Sequence, residues 1–567
     1  MPAFSDDKPT RLQSFVLLAL TAGLAVAVHW TALADAKVVN GPDIKIHFRW
    51  ALQFAASLAE GNWYPRWAAY SYYGLGDPTF LYIHPLFYYL AAAANLGLQD
   101  IWRSVLWVGT LTTAATALVT YGVARQHTSR GLALCAAFAV TVSPYAFHLA
   151  HYQQFLPMHF AMPAVVLFVG AVWAGEGRFR IPFLAVSLAV LVGSHILAAF
   201  MVLICTGVIV VWRAIRDRQQ GIKPLLQYGG GVALGLGLAA AYLLPALSTQ
   251  HLVSPAGWYA PIHLDWRNAF LLQYFSLPSY GFRWFHLQWT IPLLTVMACL
   301  VAGYFLRLAG PQPSGSRRRA GEMLAMAVIA LFLGCELVYP LWEHIGVLRR
   351  IQFPLRFLQL ASIAAVLALV WSATMVPPAH RSRVRILLIG FLLGSLAMLV
   401  ALERQFAIES KPVLEVAAPS RALGGQPEMK PATAGAGWRQ YLDRGGWMAD
   451  CANLGLACTS VQNEGQHKIW AVERQGGTTE TVRIPVFWFP AWQFSVDGKA
   501  LTPAVDALTG LPEIPLSLGK TVIEARWVGL PQEHIGLAVS GVSLLLLGGL
   551  VLVACRLPRP RGVCRVA

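Results

Sequence analysis

Runs of about 20 residues that are almost free of charge recur along this chain, and that is the length a helix needs to cross the core of a bilayer. Hydrophobic residues make up 56% of the 567 residues and charged residues only 12%, which is too apolar for several soluble domains. One run, 181–212, is too long for a single span, and Gly193-Ser194-His195 at its centre predicts two short helices. The sequence therefore predicts a polytopic α-helical membrane protein with about twelve spans. The other runs are 12–31, 101–124, 131–149, 155–174, 225–247, 288–308, 321–340, 353–374, 385–401 and 535–555.

The net charge of +16 is a topology signal and not a nucleic-acid surface, because the basic residues lie in short loops between spans. With the N-terminus inside, counting the spans places each of these loops in the cytoplasm, as the positive-inside bias requires. This agreement requires that the apolar run 79–98 does not cross, so we predict a re-entrant or interfacial segment there. The first loop, 32–100, is then extracytoplasmic. The basic loops are 125–130, 178–180, 213–223, 317–319, 381–385 and 556–565.

Between Glu403 and Glu533 the pattern changes to short stretches in which apolar and polar residues alternate, with turn signals such as Asp497-Gly498. Alternation with a period of two predicts strands, and several short strands predict a small extracytoplasmic β-sandwich tethered by spans. The stretch 410–437, rich in Pro, Ala and Gly, is typical of a linker. The predicted parts are a transmembrane domain, 1–401, a β-rich domain, 402–533, and a final transmembrane helix with a basic cytoplasmic tail, 534–567.

Two of the eight cysteines, Cys451 and Cys458, fall in the predicted outer domain, and the others lie in spans or at the cytoplasmic end. Oxidation is expected outside the cytoplasm, so we predict a local disulfide between these two. Their spacing does not suit a four-ligand metal site.

The segment after the first span combines an acid and several bases with the rhythm of a helix. Gly41-Pro42 ends the span, Asp43 is a residue type that caps helices, and Gly61 suits the end of a helix. Asp43 and His47 would lie one turn apart on the same face. Two interpretations of Asp43 stay open at this point: a helix cap or a catalytic group.

Other polar residues are expected near the same membrane surface. Arg66 and His84 lie in the first loop, where an arginine fork suits a phosphate, although Arg and aromatic residues are also ordinary interfacial anchors. The segment 349–356 carries three arginines on the outer side, against the positive-inside bias, and such cations call for an anionic partner such as a lipid phosphate. His195, at the predicted turn inside the membrane, either lines a cavity or is bonded within the bundle. The predicted substrate-binding residues are His47, Arg66, His84, His195, Arg349, Arg350, Gln352 and Arg356.

Several stretches resemble a family of bacterial membrane proteins: DIKIH, GNWYPRW, GLGDPTFLYIHPLFYYL and, far downstream, IQFPLRF. That family is labelled as related to 6-pyruvoyl-tetrahydropterin synthase, but its members are similar in plan to the GT-C glycosyltransferases, including the YfhO-like group. FWFPAWQFSVDGK followed by LSLGKTVIEARW is similar to the outer sandwich domain that closes YfhO-like chains. The zinc chemistry of the soluble pterin enzyme is not implied, because no histidine-rich strand motif is present.

The resemblance implies a GT-C-type glycosyltransferase in the bacterial cytoplasmic membrane, with its active site on the extracytoplasmic side. The donor would be a polyprenyl-phosphate-linked sugar, and the acceptor an envelope glycan, lipid or protein. The aspartate that acts as general base in the family matches Asp43, and Asp77 is a possible second acid at a position where the family is expected to vary. No cofactor is required, a divalent metal is optional, and membrane lipid is a further partner.

The competing hypothesis is non-enzymatic. A lipid or polysaccharide transporter, or an assembly subunit of the envelope that has lost catalysis, would also use a many-span bundle with outward arginines. Against transport, no internal repeat and no matched pair of broken helices is evident in the sequence.

Overall fold

Helices dominate the fold of this chain. In the computed structural model the described residues are 11–174, 177–216, 222–254, 265–271, 289–309, 314–417, 425–476 and 481–556. Among them, eight helices are long and apolar enough to cross a membrane, and two further candidates are helix pairs bent by 80° and 75°. With the shorter apolar helices Phe15–Val28 and Arg180–Ser194, the described part is compatible with the predicted count of about twelve. The chain is a multi-pass membrane protein.

The helices are numbered in chain order. Those up to the break at His195 are α1 Arg11–Val28, α2 Trp30–Ala34, α3 Pro42–Ala59, α4 Thr79–Tyr82, α5 Leu86–Leu98, α6 Ile101–Arg125, α7 Arg130–Thr141, α8 Pro144–His151, α9 Leu156–Phe160, α10 Met162–Trp173 and α11 Arg180–Ser194. Those after it are α12 Ile196–Arg216, α13 Lys223–Leu238, α14 Ala240–Ser248, α15 Ile291–Leu308, α16 Ser314–Gly334, α17 Tyr339–His344, α18 Leu358–Ala373, α19 Arg381–Glu409, α20 Val413–Ala417, α21 Trp438–Asp443, α22 Gly446–Asn453 and α23 Pro531–Arg556.

Three of the predicted apolar runs are broken in the structure, and the sequence predicted one of these breaks. The run 181–212 is divided at His195 into α11 and α12, as predicted. The runs 225–247 and 321–340, predicted as continuous spans, are broken: α13 turns by 80° into α14, and α16 turns by 75° into 336–344. Such sharp turns are typical of Gly and Pro, and Gly334 ends α16 while Pro340 opens α17. These two bends were not predicted from the sequence.

The segment 79–98 forms two helices, of which the longer, α5, has 13 residues. A helix of that length rises about 20 Å, which is less than the hydrocarbon core of about 30 Å. Its packing partners are α3 and α6. Helix α11, counted above as a span, has only 15 residues, so the length of α5 is compatible with the prediction that the segment does not cross, and this stays a prediction.

The strands lie mainly in the domain that the sequence predicts to be extracytoplasmic, which is called the outer domain here. In chain order they are β1 Lys37–Val39, β2 Ser410–Pro412, β3 Leu456–Asn463, β4 His467–Arg474, β5 Thr481–Arg483, β6 Trp492–Val496, β7 Lys499–Leu501, β8 Ala504–Val505, β9 Pro512–Pro515 and β10 Gly519–Trp527. From β3 onward they form two antiparallel sheets, in the order β3-β4-β10-β6-β7 and β5-β9-β8. Buried residues of both sheets, such as Trp470, Ile514 and Ile523, belong to one hydrophobic cluster, so the predicted strands form packed sheets, while the bounds of the β-rich domain stay a prediction.

The predicted disulfide is also present. Cys451 lies in α22 and Cys458 in β3, and the two are joined with their Cα atoms 6.1 Å apart. The bond ties the helix that precedes the first sheet to the edge of that sheet.

The first loop lies against the outer domain through several bonds. Its strand β1 pairs with β2, where the chain leaves α19. At the other end of α3, the Glu60 carboxylate accepts a hydrogen bond of 2.6 Å from the Gly465 backbone N–H. The Trp67 ring packs in an aromatic cluster with Phe489, Trp492 and Trp527 of the outer domain. The loop that carries Asp43 is thus a docked part of the fold.

Arg66 and Glu533 form an ion pair of 2.7 Å between the first loop and the start of α23, and both side chains are buried, 2% and 7% exposed. The guanidinium also donates to the Ala241 carbonyl of α14 and lies over the Tyr64 ring. A buried pair of this kind is costly to break, because the remaining charge is left without its counter-ion in a poorly solvated site.

We therefore expect Arg66→Gln to lower the free energy of unfolding by about 3 kcal/mol, measured by thermal unfolding of the purified protein in nanodiscs. The matched control is Arg103→Gln, whose pair with Asp100 is exposed, at 55% and 36%, and should contribute less than about 1 kcal/mol. Equal losses in the two variants would contradict a structural role for the buried pair.

Candidate functional site

The helix α3 begins with an unusual cap. Gly41 is the N-cap residue, with extended backbone, Pro42 follows in the first position, and Asp43 lies in the first turn. The interpretation of Asp43 as the cap is therefore wrong, because Pro42 takes the first helical position and moves the cap back to Gly41. Asp43 is half-buried.

Three histidines predicted to bind substrate meet near the Asp43 end of α3. The rings of His84 and His195 lie 4.7 Å apart between centroids. His47, one turn after Asp43, shares a hydrogen bond of 2.8 Å between its Nδ1 and the Tyr88 hydroxyl. Burial lowers the pKa of His47 and of His84 to about 3, and the neighbouring charge of Arg356 also lowers that of His84. These two histidines are neutral at physiological pH.

Arg356 is the arginine that the fold brings to this cluster. It lies in the turn Pro354–Phe357, is 8% exposed, and donates from Nη1 to the Ile351 carbonyl at 2.8 Å. The rings of Phe155 and Phe353 lie 4.8 Å and 4.6 Å from its guanidinium carbon. Stacking on aromatic faces orients the planar guanidinium for an anionic ligand.

Asp43 has a pKa suited to proton transfer. Burial raises the pKa of its carboxyl to about 7, the charge of Arg356 opposes this, and the charge of Glu428 adds to it. A base with a pKa near the working pH is about half deprotonated before the reaction and still accepts a proton readily. A role of Asp43 as general base stays a prediction, which this pKa supports.

Asp77 makes hydrogen bonds within the turn in which it lies. It is fully buried, its Oδ1 accepts a hydrogen bond of 3.1 Å from the Thr79 N–H, and its backbone bridges to Ala68. Burial raises the pKa of its carboxyl to about 7 as well. These contacts assign Asp77 to the shape of the first loop, and a role as second acid stays a prediction.

The other predicted phosphate ligands have different surroundings from those of Arg356. The Arg66 guanidinium pairs with Glu533 and donates to the Ala241 carbonyl, and its role as a phosphate ligand stays a prediction. Arg349 donates to the carbonyls of Trp342 and Glu343, which commits it to the segment after α16. The remaining two residues of this segment are Arg350, which is exposed, and Gln352, which is half-buried with a φ of +67°.

Sequence reasoning missed Tyr88, Phe155 and Glu428. Tyr88 lies in an apolar run that is typical of a membrane interface, and Glu428 lies in the stretch expected to be a linker. Neither position carries a local signal, because each becomes part of the site through contacts between distant segments. Within the described ranges no group of three or more His, Cys, Asp or Glu residues is arranged to hold a metal ion.

No protein-family profile and no curated protein matches the sequence. Among solved structures, the chain is similar to the arabinofuranosyltransferase AftD from mycobacteria, with 16% identity over 90% of this chain and 40% of that one and a TM-score of 0.45. A second AftD structure, of a mutant, has 27% of its length covered. The chain thus spans less than half the length of either AftD structure.

Two further similar structures are of other transferases. One is ArnT from Cupriavidus metallidurans bound to undecaprenyl phosphate, with 14% identity over 73% of this chain and 76% of that one and a TM-score of 0.41. The other is the oligosaccharyltransferase AglB from Archaeoglobus fulgidus in complex with an inhibitory peptide and a dolichol-phosphate, with 13% identity over 76% and 57% and a TM-score of 0.42. Likenesses of this degree do not establish the activity of this chain, so its function is inferred from its own residues.

The site predicts a measurable titration. Infrared difference spectra between the wild type and Asp43→Asn should show a protonated carboxyl that disappears with a midpoint at about pH 7. Arg356→Gln should move this midpoint upward, because it removes the positive charge that favours the carboxylate. A midpoint near the ordinary aspartate value of about 4 would contradict the burial of Asp43. Asp77→Asn controls for the second buried acid.

Proposed function

We propose that this protein is a GT-C-type glycosyltransferase of the bacterial cytoplasmic membrane. It transfers a sugar from a polyprenyl phosphate to an acceptor hydroxyl of an envelope glycan, lipid or protein. The observation that carries the proposal is the pairing of Asp43, with its pKa near neutrality, and Arg356, which is close enough to influence that pKa, at the first loop of a multi-pass protein.

The reaction needs few protein groups. Asp43 as carboxylate takes the proton of the acceptor hydroxyl while that oxygen attacks the anomeric carbon of the sugar. The bond from this carbon to the phosphate oxygen breaks, and polyprenyl phosphate leaves with the bonding electrons. Arg356 neutralises the phosphate, and a lipid-linked donor already holds its leaving group at the membrane surface. Side chains of the described cluster are thus sufficient for the chemistry.

The histidines fit the same reaction as neutral polar groups. Since burial keeps His47 and His84 uncharged, they add no positive charge that would stabilise Asp43 as a carboxylate and lower its basicity. Their ring nitrogens are suited to hydrogen bonds with sugar hydroxyls. Together with His195 they form the proposed sugar-binding side of the site.

Mass spectrometry of lipid that co-purifies with the protein tests the donor class. We expect a polyprenyl phosphate or its sugar-linked form in the wild type, and less of it in Arg356→Ala. Ordinary phospholipid in equal amounts in both proteins would contradict the donor assignment.

The extracytoplasmic location of the site is a second part of the proposal, and the basic loops support it. A single cysteine at position 127, in a variant free of other reactive thiols, should react with a membrane-impermeant reagent only after the cells are opened. A cysteine at position 63, in the first loop, is the control and should react in intact cells, because Trp63 is 81% exposed. Labelling of position 127 from outside would reverse the topology.

The transporter hypothesis keeps one structural observation in its favour. The two bent helix pairs resemble the discontinuous helices found at transporter substrate sites. Transport has no need of a base, however, so substitution of Asp43 separates the two functions.

Asp43→Asn retains the size of the side chain but removes the basic group, so sugar transfer should fall by about two to four orders of magnitude while donor binding persists. Asp35→Asn is the matched control, because Asp35 lies in the same loop, is 61% exposed and pairs with Lys37 at the surface. In the wild type, kcat/KM should fall tenfold per pH unit below about pH 7, because protonation removes the base. Near-normal turnover in Asp43→Asn would end the assignment.

Arg356→Ala should weaken donor binding as well as turnover, because it removes the proposed phosphate partner. Arg356→Lys should restore only part of the activity, since the ammonium lacks the planar fork. The acid limb of the pH profile should also move upward in Arg356→Ala and return in Arg356→Lys. Unchanged donor affinity in Arg356→Ala would place the phosphate elsewhere.

A further inference from the structure

The helix that carries Asp43 is capped by a side chain from another part of the chain. Gln154 lies between α8 and α9, and its Oε1 accepts a hydrogen bond of 3.3 Å from the Ile44 N–H, in the first turn of α3. Its Nε2 donates to the Val39 carbonyl at 2.6 Å, on the strand that precedes the helix. One amide group thus fixes both sides of the Gly41 corner.

The local geometry shows that this arrangement is specific. Gln154 is 1% exposed and has a φ of +59°, in the left-handed region that glutamine rarely adopts. A Cβ on Gly41 would lie 2.3 Å from the Gln154 Oε1, so the corner accepts this amide because residue 41 is a glycine. The first N–H groups of a helix have no partner within it, and the amide oxygen supplies one where Gly41 cannot.

Phe155, the next residue along the chain, contacts Arg356, the proposed phosphate ligand. Phe155 lies 4.8 Å from the Arg356 guanidinium carbon, and its ring also packs against Phe353 at 5.8 Å. Three residues later, the Met158 carbonyl accepts a hydrogen bond of 2.7 Å from Gln359 of α18, the helix that follows Arg356. The segment 154–158 therefore contacts both the helix of the proposed base and the turn of the proposed phosphate ligand.

We propose that the segment 154–158 sets the spacing between Asp43 and Arg356, with Gln154 as the positioning residue for transfer. This inference rests on the proposed function of Asp43. Gln154 does not touch the reacting atoms; it holds α3 in the place where the Asp43 carboxylate meets the acceptor hydroxyl. A displacement of about 1 Å is enough to cost about a hundredfold in such a reaction.

The test compares Gln154→Ala with Gln153→Ala, a matched control at the preceding position. Gln153 is also buried, and within the described part of the chain its side-chain amide makes no hydrogen bond. We expect Gln154→Ala to lower kcat by roughly 10- to 100-fold with KM for the polyprenyl-phosphate sugar changed less than about threefold. Gln153→Ala should leave both constants near the wild-type values.

A double substitution separates positioning from general damage. Gly41→Ala should lower kcat much as Gln154→Ala does, because the new methyl group meets the Gln154 amide. Added to Gln154→Ala, the same change should cost less than about threefold, because the group it meets is gone. Gln154→Met, which fills the volume without an acceptor, should remain folded and remain slow.

The outcomes are distinguishable. Near-normal kcat in Gln154→Ala and Gln154→Met, in a protein that Asp43→Asn inactivates, would overturn the positioning role and leave the proposed function intact. Near-normal turnover in Asp43→Asn would overturn the proposed function itself. Fully independent effects of Gly41→Ala and Gln154→Ala would also overturn the positioning role.

Discussion

The buried ion pair between Arg66 and Glu533 joins the first loop of the chain to its last helix. A charge at either position without its partner would cost several kcal/mol, so the fold is stable only when the two ends meet. Once they do, Trp67 beside Arg66 is placed among the aromatic residues of the outer domain. Helix α3, held by β1 at one end and by Glu60 at the other, then has a fixed position. The candidate site depends on this closure, although neither charge belongs to it.

An arginine also attracts a carboxylate at Asp43, where the charge of Arg356 favours the ionised form. There burial outweighs the charge of Arg356, and the pKa settles at about 7. A direct ion pair with Arg356 would have kept the Asp43 carboxylate charged and poorly basic. An isolated buried acid would have stayed protonated. The intermediate condition gives a base that titrates at the pH of use, and the arginine is kept in place by aromatic rings and a backbone carbonyl.

The architecture was largely predictable because the bilayer imposes lengths that a sequence must obey. The break at His195 and the short helix α5 result from local composition in the same way. The bend after α13 was not predictable, because apolar residues continue through it. The bend after α16 has local signals in Gly334, Glu336 and Pro340, but these do not fix the direction of the next helix. Helix length and polarity are local properties, whereas the direction of a helix depends on its neighbours.

The site was predictable where a residue violated a general bias. The three arginines of 349–356 stood out because they lie against the positive-inside bias, but charge alone did not separate Arg356 from Arg349. Their environments differ: Arg356 is buried against the rings of Phe155 and Phe353, and its charge acts on Asp43, whereas Arg349 is half-buried and donates to the carbonyls of Trp342 and Glu343. Arg66 carries the same chemistry and serves the fold. Such differences arise from pairing with distant residues and have no signature in the local sequence.

The strands of the outer domain carry no residue assigned to catalysis, but the domain is bonded to the loop that carries Asp43. Its approach segment is bonded to the first loop, because the Tyr72 hydroxyl donates to the Gln426 carbonyl at 2.6 Å. Two residues later, the charge of Glu428 raises the pKa of both Asp43 and Asp77. Docking of the domain therefore contributes to the basicity of the proposed catalytic group, even though no side chain of its sheets is assigned a chemical step. This effect of Glu428 adds to the larger effect of burial on the pKa of Asp43.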